Sequence, residues 1–209
     1  DFILKSKNIH MVFVVIEVSI VAMYITGFYL NVKSRPFALC ALLMLLLINK
    51  RSAIFINGVT CLYMFMADAF LTVSAVSDIT VYSSLVISYT TSLIAIYIVS
   101  KVTSRLKVFV TGFIIAVPIA ISYAILDFDM FLRMPYKAVL DGLWSGMLSV
   151  VLMMAFLPFF EKVFNVLTVY RLTEITDHKS VLIKALIENA PGTFNHSLVV
   201  STLAESCAT

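Results

Sequence analysis

Charged residues are scarce in this sequence. They make up 13% of the 209 residues, while the hydrophobic set reaches 61% and the mean hydropathy is +1.03. A soluble domain typically has about 25% charged and about 45 to 50% apolar residues, so the composition predicts an integral membrane protein instead. The net charge of +3 is small, and the basic residues lie in short clusters between apolar runs. This distribution is typical of membrane loops and argues against a nucleic-acid-binding surface.

Cysteine is also rare. Cys40, Cys61 and Cys207 are odd in number and widely spaced, and two of them lie inside apolar runs. The pattern excludes a disulfide framework and a CxxC metal pair. The sequence starts at Asp1, and no basic segment followed by a cleavage site precedes the first apolar run. We therefore expect a fragment whose true N-terminus lies upstream.

The apolar runs set the number of membrane crossings, because a helix needs about 20 residues to cross a bilayer. The longest run, Ala53–Ser100, has room for two comfortable crossings or three compressed ones. The sequence therefore predicts an all-α fold, a polytopic transmembrane helix bundle of six to seven spans over residues 1–160. The five runs are Met11–Leu30, Pro36–Ile48, Ala53–Ser100, Val108–Leu126 and Ala138–Phe160.

Basic residues in short loops predict the orientation of the bundle. The loop that holds Lys101, Arg105 and Lys107 is the most basic and is expected inside. Two further spans follow it, so the C-terminal segment is expected in the cytoplasm as well.

Two pairs of basic loop residues, Lys33 with Arg35 and Lys50 with Arg51, flank the second apolar run, so they cannot both be inside. A six-span bundle places the second pair and the N-terminus inside, whereas a seven-span bundle places the first pair inside and the N-terminus outside. Charge alone slightly favours six spans.

A polar region follows the last span. Helical periodicity over Glu161–Ile175 predicts that the last membrane helix continues as a cytoplasmic stalk, and Ser180 is placed to cap a second helix. Residues 161–190 are therefore expected to form stalk or linker helices. Residues 191–209 start a further helical domain, in which Thr193 is expected to cap the helix that holds His196.

His196 lies on the apolar stripe of its helix, with Val199, Val200 and Leu203 at helical spacing. An inward-facing histidine at the start of a domain can bind a divalent metal ion. It can equally be a core histidine with a satisfied hydrogen bond, and periodicity alone favours that alternative. No partner ligand follows at metal-binding spacing.

Two features inside the apolar runs invite other functions. The carboxylates of Glu17, Asp68 and Asp78 are costly in a membrane and raise a small-molecule transporter or channel with a soluble tail as an alternative function. No Lys or Arg partner for them and no inverted repeat are found in the apolar runs. Gly142 and Gly146 mark a close-packing helix face, either an intramolecular contact or part of a dimer seam.

Three segments near the end of the sequence form a recognisable set: "LPFFEKVF" (Leu157–Phe164), "LTEI" (Leu172–Ile175) and "ENAPGTFNHSLVVSTLAES" (Glu188–Ser206). Together they resemble the bacterial seven-transmembrane HD (7TMR-HD) family, in its cyclic-di-AMP phosphodiesterase branch. The resemblance implies that residues 191–209 are the start of an all-helical HD domain. It also implies that His196 is the first metal ligand of an HD phosphohydrolase site.

The resemblance implies further properties of an intact parent protein. The parent would be a signalling enzyme of the bacterial inner membrane that hydrolyses a cyclic dinucleotide, cyclic di-AMP, with divalent metal ions, Mn or Fe, as cofactors. The lipid bilayer and the cyclic dinucleotide are the expected partners, a homodimer through the membrane and HD domains is a candidate assembly, and no DNA or RNA partner is expected. An odd number of spans is also implied, so seven is favoured, with two short helices between Ala53 and Thr80.

The sequence departs from the family pattern at two places. The usual histidine pair appears as Asn195-His196, and the usual His-Pro-Leu-Leu lead-in appears as Ser180–Ile183. The His-Asp dyad that names the domain is expected beyond Thr209, and a large extracellular domain is expected before Asp1. We therefore expect a membrane-sensor portion that has no complete catalytic site and holds no metal by itself.

Overall fold

The computed structural model describes residues 6–30, 32–71, 78–102, 105–126, 132, 135–175 and 181–208. These residues form helices and turns, without a strand among them, which confirms the all-α fold. The chain divides into two compact units, Asp1–Thr168 and Val169–Thr209.

The first unit is a helix bundle. Its chain order is α1 (Ser6–Tyr29), a 3-10 turn (Val32–Ser34), α2 (Leu39–Leu47), α3 (Lys50–Leu71), α4 (Asp78–Val99), α5 (Arg105–Leu126) and α6 (Pro135–Phe164). Among the described residues, four segments are long and apolar enough to cross a membrane: Asn8–Tyr29, Lys50–Phe70, Tyr82–Val99 and Val139–Phe164. Lys107–Ser122, in α5, is a shorter apolar segment. The unit is thus a multi-pass membrane bundle.

Helix α2 lies at the centre of this bundle. Seven of its nine residues are buried, and it packs against α1, α3, α4 and α6. At about 1.5 Å per residue, nine residues cover only about 14 Å, roughly half of a bilayer core. Residues 35–38, which precede α2, are also buried and lengthen this segment. The segment packs against α3, which follows it after the short connection at Ile48 and Asn49.

The expected pair of short helices between Ala53 and Thr80 is wrong. Lys50–Leu71 is one continuous helix, and α4 starts at Asp78, with residues 72–77 outside the described part of the chain. No proline interrupts this stretch, and Asn57 and Thr60 are hydrogen-bonded inside the helix bundle. The third apolar run therefore gives two helices, and the described residues contain six apolar helices.

The prediction of an unbroken stalk helix is also wrong. Helix α6 ends at Phe164, and the next residue, Asn165, has a left-handed backbone with φ of 53°. The Val166 N–H donates back to the carbonyl of Glu161 at 3.2 Å. This is the geometry of a Schellman cap, in which asparagine is one of the few residues that adopt the left-handed position readily.

The described residues of the second unit form three helices, α7 (Val169–Ile175), α8 (Val181–Asn189) and α9 (Pro191–Ala208), of which α8 and α9 pack together. Ser180, the predicted cap of α8, lies outside the described residues. Thr193 does not cap α9, because the helix begins two residues earlier at Pro191. Proline suits a first helical position, since it has no N–H to satisfy and its φ is preset.

Candidate functional site

His196 lies in α9, and its side chain is exposed. Its apolar neighbours Val199, Val200 and Leu203 are also exposed, so the helix face that the sequence assigns to a core is uncovered in this chain. Within the described residues, no group of three or more His, Cys, Asp or Glu side chains could hold a metal ion. His196 alone therefore does not make a metal site.

The first unit contains a buried cluster that we call the polar centre: Ser34, Arg35, Asp68, Asp141 and Ser145. Arg35 Nη1 donates to Asp68 Oδ2 at 2.6 Å as an ion pair. Ser34 Oγ donates to Asp141 Oδ1 at 2.7 Å, and Ser145 Oγ donates to the backbone carbonyl of Arg35 at 2.5 Å. These bonds tie the connection between α1 and α2 to both α3 and α6.

The Arg35–Asp68 ion pair is shielded from its surroundings. Arg35 is 6% exposed and Asp68 is 7% exposed. Burial removes the hydration of both charges, so each depends on the other, and removing one partner of such a pair typically costs about 3 to 5 kcal/mol. Arg35 Nε has no hydrogen-bond partner among the described residues. The pair therefore fixes the position of the α1–α2 connection strongly.

Gly27 in α1 makes room for the guanidinium group. A Cβ atom at this position would lie 2.4 Å from Arg35 Nε, which is closer than real contacts allow. A cavity of about 10 Å³ adjoins the pair, lined by Arg35, Asn57, Asp68 and Ser88 among others. This volume holds about one water molecule and no larger solute.

A second set of buried polar contacts lies between α2, α3 and α4. Asn57 Nδ2 donates to Ser92 Oγ at 2.5 Å and joins α3 to α4. Cys40 Sγ and Thr60 Oγ1 are 3.3 Å apart and join α2 to α3. Lipid tails are as apolar as leucine, so helices in a membrane gain little from apolar burial and depend on close packing and such bonds.

Helix α6 also makes a close contact with α5, on a face next to the one that carries Asp141 and Ser145. A Cβ atom on Gly146 would lie 2.4 Å from the carbonyl oxygen of Gly112, and one on Gly142 would lie 2.9 Å from that of Ala116. The Gly-x-x-x-Gly pattern thus serves an intramolecular contact, one of the two alternatives that the sequence leaves open.

The intramembrane acids differ in their surroundings. Asp68 pairs with Arg35, so the sequence-based view that these acids lack a basic partner is wrong. Glu17 is exposed at a groove between α1 and α6, and the Asp78 side chain lies outside the described part. The sequence does not reveal the pair, because Arg35 directly precedes an apolar run and therefore resembles a charged residue of a membrane loop. The useful signal was a charge directly before the buried run of α2 and a lone acid within α3.

The C-terminal end of α6 makes a further polar contact. Glu161 is 4% exposed, and its Oε1 accepts a hydrogen bond from Thr168 Oγ1, seven residues later. Together with the cap at Asn165, this bond closes the segment after the helix back onto its last turn. Phe160 packs its ring against both Phe159 and Phe164 at the same end. The "LPFFEKVF" segment therefore forms the C-terminal end of α6, and both a backbone cap and a side-chain hydrogen bond stabilise this end.

Comparison with known proteins assigns the bundle to a family. The family 7TM-7TMR_HD, described as a 7TM receptor with intracellular HD hydrolase, matches residues 1–168. The chain belongs to this family. The resemblance to the 7TMR-HD family is thereby confirmed.

Two relatives of this 7TM-7TMR_HD chain carry the same name, cyclic-di-AMP phosphodiesterase PgpH. The protein of Listeria monocytogenes is 29% identical over 178 residues, which is 83% of this chain and 24% of that protein. The protein of Bacillus subtilis is 26% identical over 188 residues, 82% of this chain and 24% of that protein. An uncharacterized protein of Synechocystis sp. is 45% identical over 51 residues, 24% of this chain and 6% of its own length. The chain thus spans about a quarter of the two phosphodiesterases, and no solved structure matches it.

Proposed function

We propose that this chain is the membrane-sensor portion of a bacterial HD-type, metal-dependent phosphohydrolase that hydrolyses cyclic di-AMP in its complete form. One observation carries the proposal: the 7TM-7TMR_HD match covers the whole helix bundle. Two relatives named as cyclic-di-AMP phosphodiesterases, which align with most of the chain, support it. The parent would lie in the bacterial inner membrane with residues 161–209 in the cytoplasm.

Within this proposal, α6 is the output element of the bundle. The polar centre holds α6 through Asp141 and Ser145, the glycine contact holds it against α5, and the capped terminus at Asn165 follows directly. A change in the α1–α2 connection would therefore act on α6 through defined bonds. This arrangement supports a physical route for a signal from the α1–α2 connection to α6, and a coupling measurement tests that route.

His196 is proposed as the first metal ligand of the complete HD domain, with residues 191–209 as the start of that domain and residues 161–190 as the linker. A metal ion there would activate water for attack on a phosphodiester. The other described side chains of this chain do not complete such a site, so no hydrolytic step follows from them. We expect the 209-residue chain alone to hydrolyse no cyclic di-AMP. Mn or Fe as the metal and a homodimeric parent are part of the same proposal.

The bundle supports a sensor better than a transporter. The cavity at the polar centre has room for about one water molecule. The Arg35–Asp68 ion pair lies beside it, with Gly27 of α1 packed directly against the guanidinium group. A transported solute needs a larger central site between helices. Among the described residues, the polar centre therefore gives the transporter alternative no specific support.

The proposal is tested in a complete parent protein that contains this chain. Metal-dependent hydrolysis of cyclic di-AMP is measured for the wild type, for His196→Ala and for the matched neighbour Asn195→Ala. We expect His196→Ala to abolish hydrolysis with membrane insertion unchanged, while Asn195→Ala retains it. Hydrolysis that survives in His196→Ala would overturn the ligand assignment, and a wild-type parent without hydrolysis would overturn the function.

A further inference from the structure

Two lysines converge on one tyrosine at the end of the bundle where α3 begins and α4 ends. Lys101 Nζ lies 4.2 Å from the centre of the Tyr97 ring and donates to its hydroxyl at 2.8 Å. Lys50 Nζ lies 5.5 Å from the same ring centre. The two ammonium groups are therefore no more than about 10 Å apart.

No acidic residue balances these charges nearby in sequence. The chain has no Asp or Glu from Lys50 to Ala67 or from Ile79 to Leu126. Among the described residues, neither Lys50 nor Lys101 forms an ion pair with a carboxylate. Both side chains are exposed. The tyrosine ring attracts both cations, but it does not neutralise them.

The position of the pair matches the depth of lipid headgroups. Lys50 is the first residue of one apolar span, and Lys101 follows the end of another at Val99. Tyrosines and lysines at the ends of membrane helices lie at the level of the headgroups. Both lysine side chains are exposed and can move toward one anion, so a single phosphate can accept a charge-assisted hydrogen bond of about 2.8 Å from each.

We propose that Lys50, Lys101 and Tyr97 form a binding site for the phosphate of an anionic phospholipid. The recognised chemistry is a phosphate monoanion held by two point charges, with the Tyr97 ring positioning both lysines. A soluble phosphate compound has the same chemistry, but the site lies where two apolar spans end. This location favours a headgroup whose acyl chains enter the membrane beside α3 and α4.

The test titrates phosphatidylglycerol into the purified 209-residue chain in zwitterionic detergent, with bound lipid counted by native mass spectrometry. We expect one saturable site that is weakened roughly thirtyfold in Lys50→Gln/Lys101→Gln, because the loss of each direct hydrogen-bonded contact to the phosphate changes the affinity about fivefold. The matched control Arg51→Gln/Lys107→Gln removes the same amount of charge, from one residue in α3 and one in α5, and leaves both lysines at the ring in place. It should stay within about twofold of the wild type, and Lys50→Arg/Lys101→Arg should retain binding.

Three results would overturn the proposal. Equal weakening in both Gln double variants would show only summed positive charge. Unchanged binding in Lys50→Gln/Lys101→Gln, with helicity equal to the wild type by circular dichroism, would remove the site. Displacement of the lipid by millimolar glycerol 3-phosphate would assign the site to a soluble phosphate compound instead of a phospholipid.

Discussion

Replacing Asp68 by Asn tests the buried ion pair of the polar centre. The substitution keeps the side-chain shape and removes the charge that faces Arg35 at 2.6 Å. Because Arg35 is 6% exposed, its guanidinium cannot recover hydration without opening the bundle. A buried charge left without its partner costs about 3 to 5 kcal/mol. A single interhelical hydrogen bond in a membrane contributes only about 0.6 kcal/mol on average, so the loss of charge should dominate.

The assay is reversible unfolding in mixed detergent micelles with increasing dodecyl sulfate, followed by circular dichroism. We expect Asp68→Asn to lower the free energy of unfolding by about 3 to 5 kcal/mol. The double variant Arg35→Met/Asp68→Leu removes both charges and should lie within about 1 kcal/mol of the wild type or above it. Glu17→Gln, at an exposed intramembrane acid, serves as the control and should change little. A double variant that is destabilised as much as Asp68→Asn, or more, would refute the reasoning.

Further substitutions test the packing of α6 and the accessibility of the thiols. Gly146→Ala should lower the free energy of unfolding by about 1 to 3 kcal/mol, because its Cβ would meet a backbone oxygen at 2.4 Å, whereas Gly58→Ala should be neutral, with its nearest atom at 3.6 Å. In the same assay Asn165→Gly should be tolerated and Asn165→Val should destabilise by at least about 1 kcal/mol, because φ is 53°; equal stabilities would contradict the cap. A membrane-permeant maleimide should label exposed Cys207 quickly and buried Cys40 only after unfolding; fast labelling of Cys40 would contradict its burial.

Much of the fold follows from the sequence. Runs of apolar residues at membrane length predict helices, and the helices over Met11–Leu30, Val108–Leu126 and Ala138–Phe160 are confirmed within α1, α5 and α6. The limit of this approach appears at α2, where a run of 13 apolar residues could be a short span or a buried segment. Only tertiary packing on four sides decides that question.

The polar centre could not be predicted for a different reason. Arg35 and Asp68 are 33 residues apart, and the sequence does not show which buried charge faces which. The helix end at Asn165 escaped prediction as well, because helical periodicity continues across the break and a single left-handed residue changes no pattern. Hydropathy and helical periodicity predict each helix from its own residues. Which buried charges pair, and where the chain leaves a helix, depend on the packing of all six apolar helices described.

The central claim is that the bundle controls the proposed hydrolase through α6. Its most direct measurement is the rate of cyclic-di-AMP hydrolysis by the complete parent in membranes, compared between the wild type and Arg35→Met/Asp68→Leu, with His196→Ala as the baseline. The double variant should fold normally and lack the ion pair, so we expect its rate to differ about fivefold or more from the wild type, a typical coupling magnitude. A rate equal to that of the wild type, with membrane insertion intact, would contradict the claim.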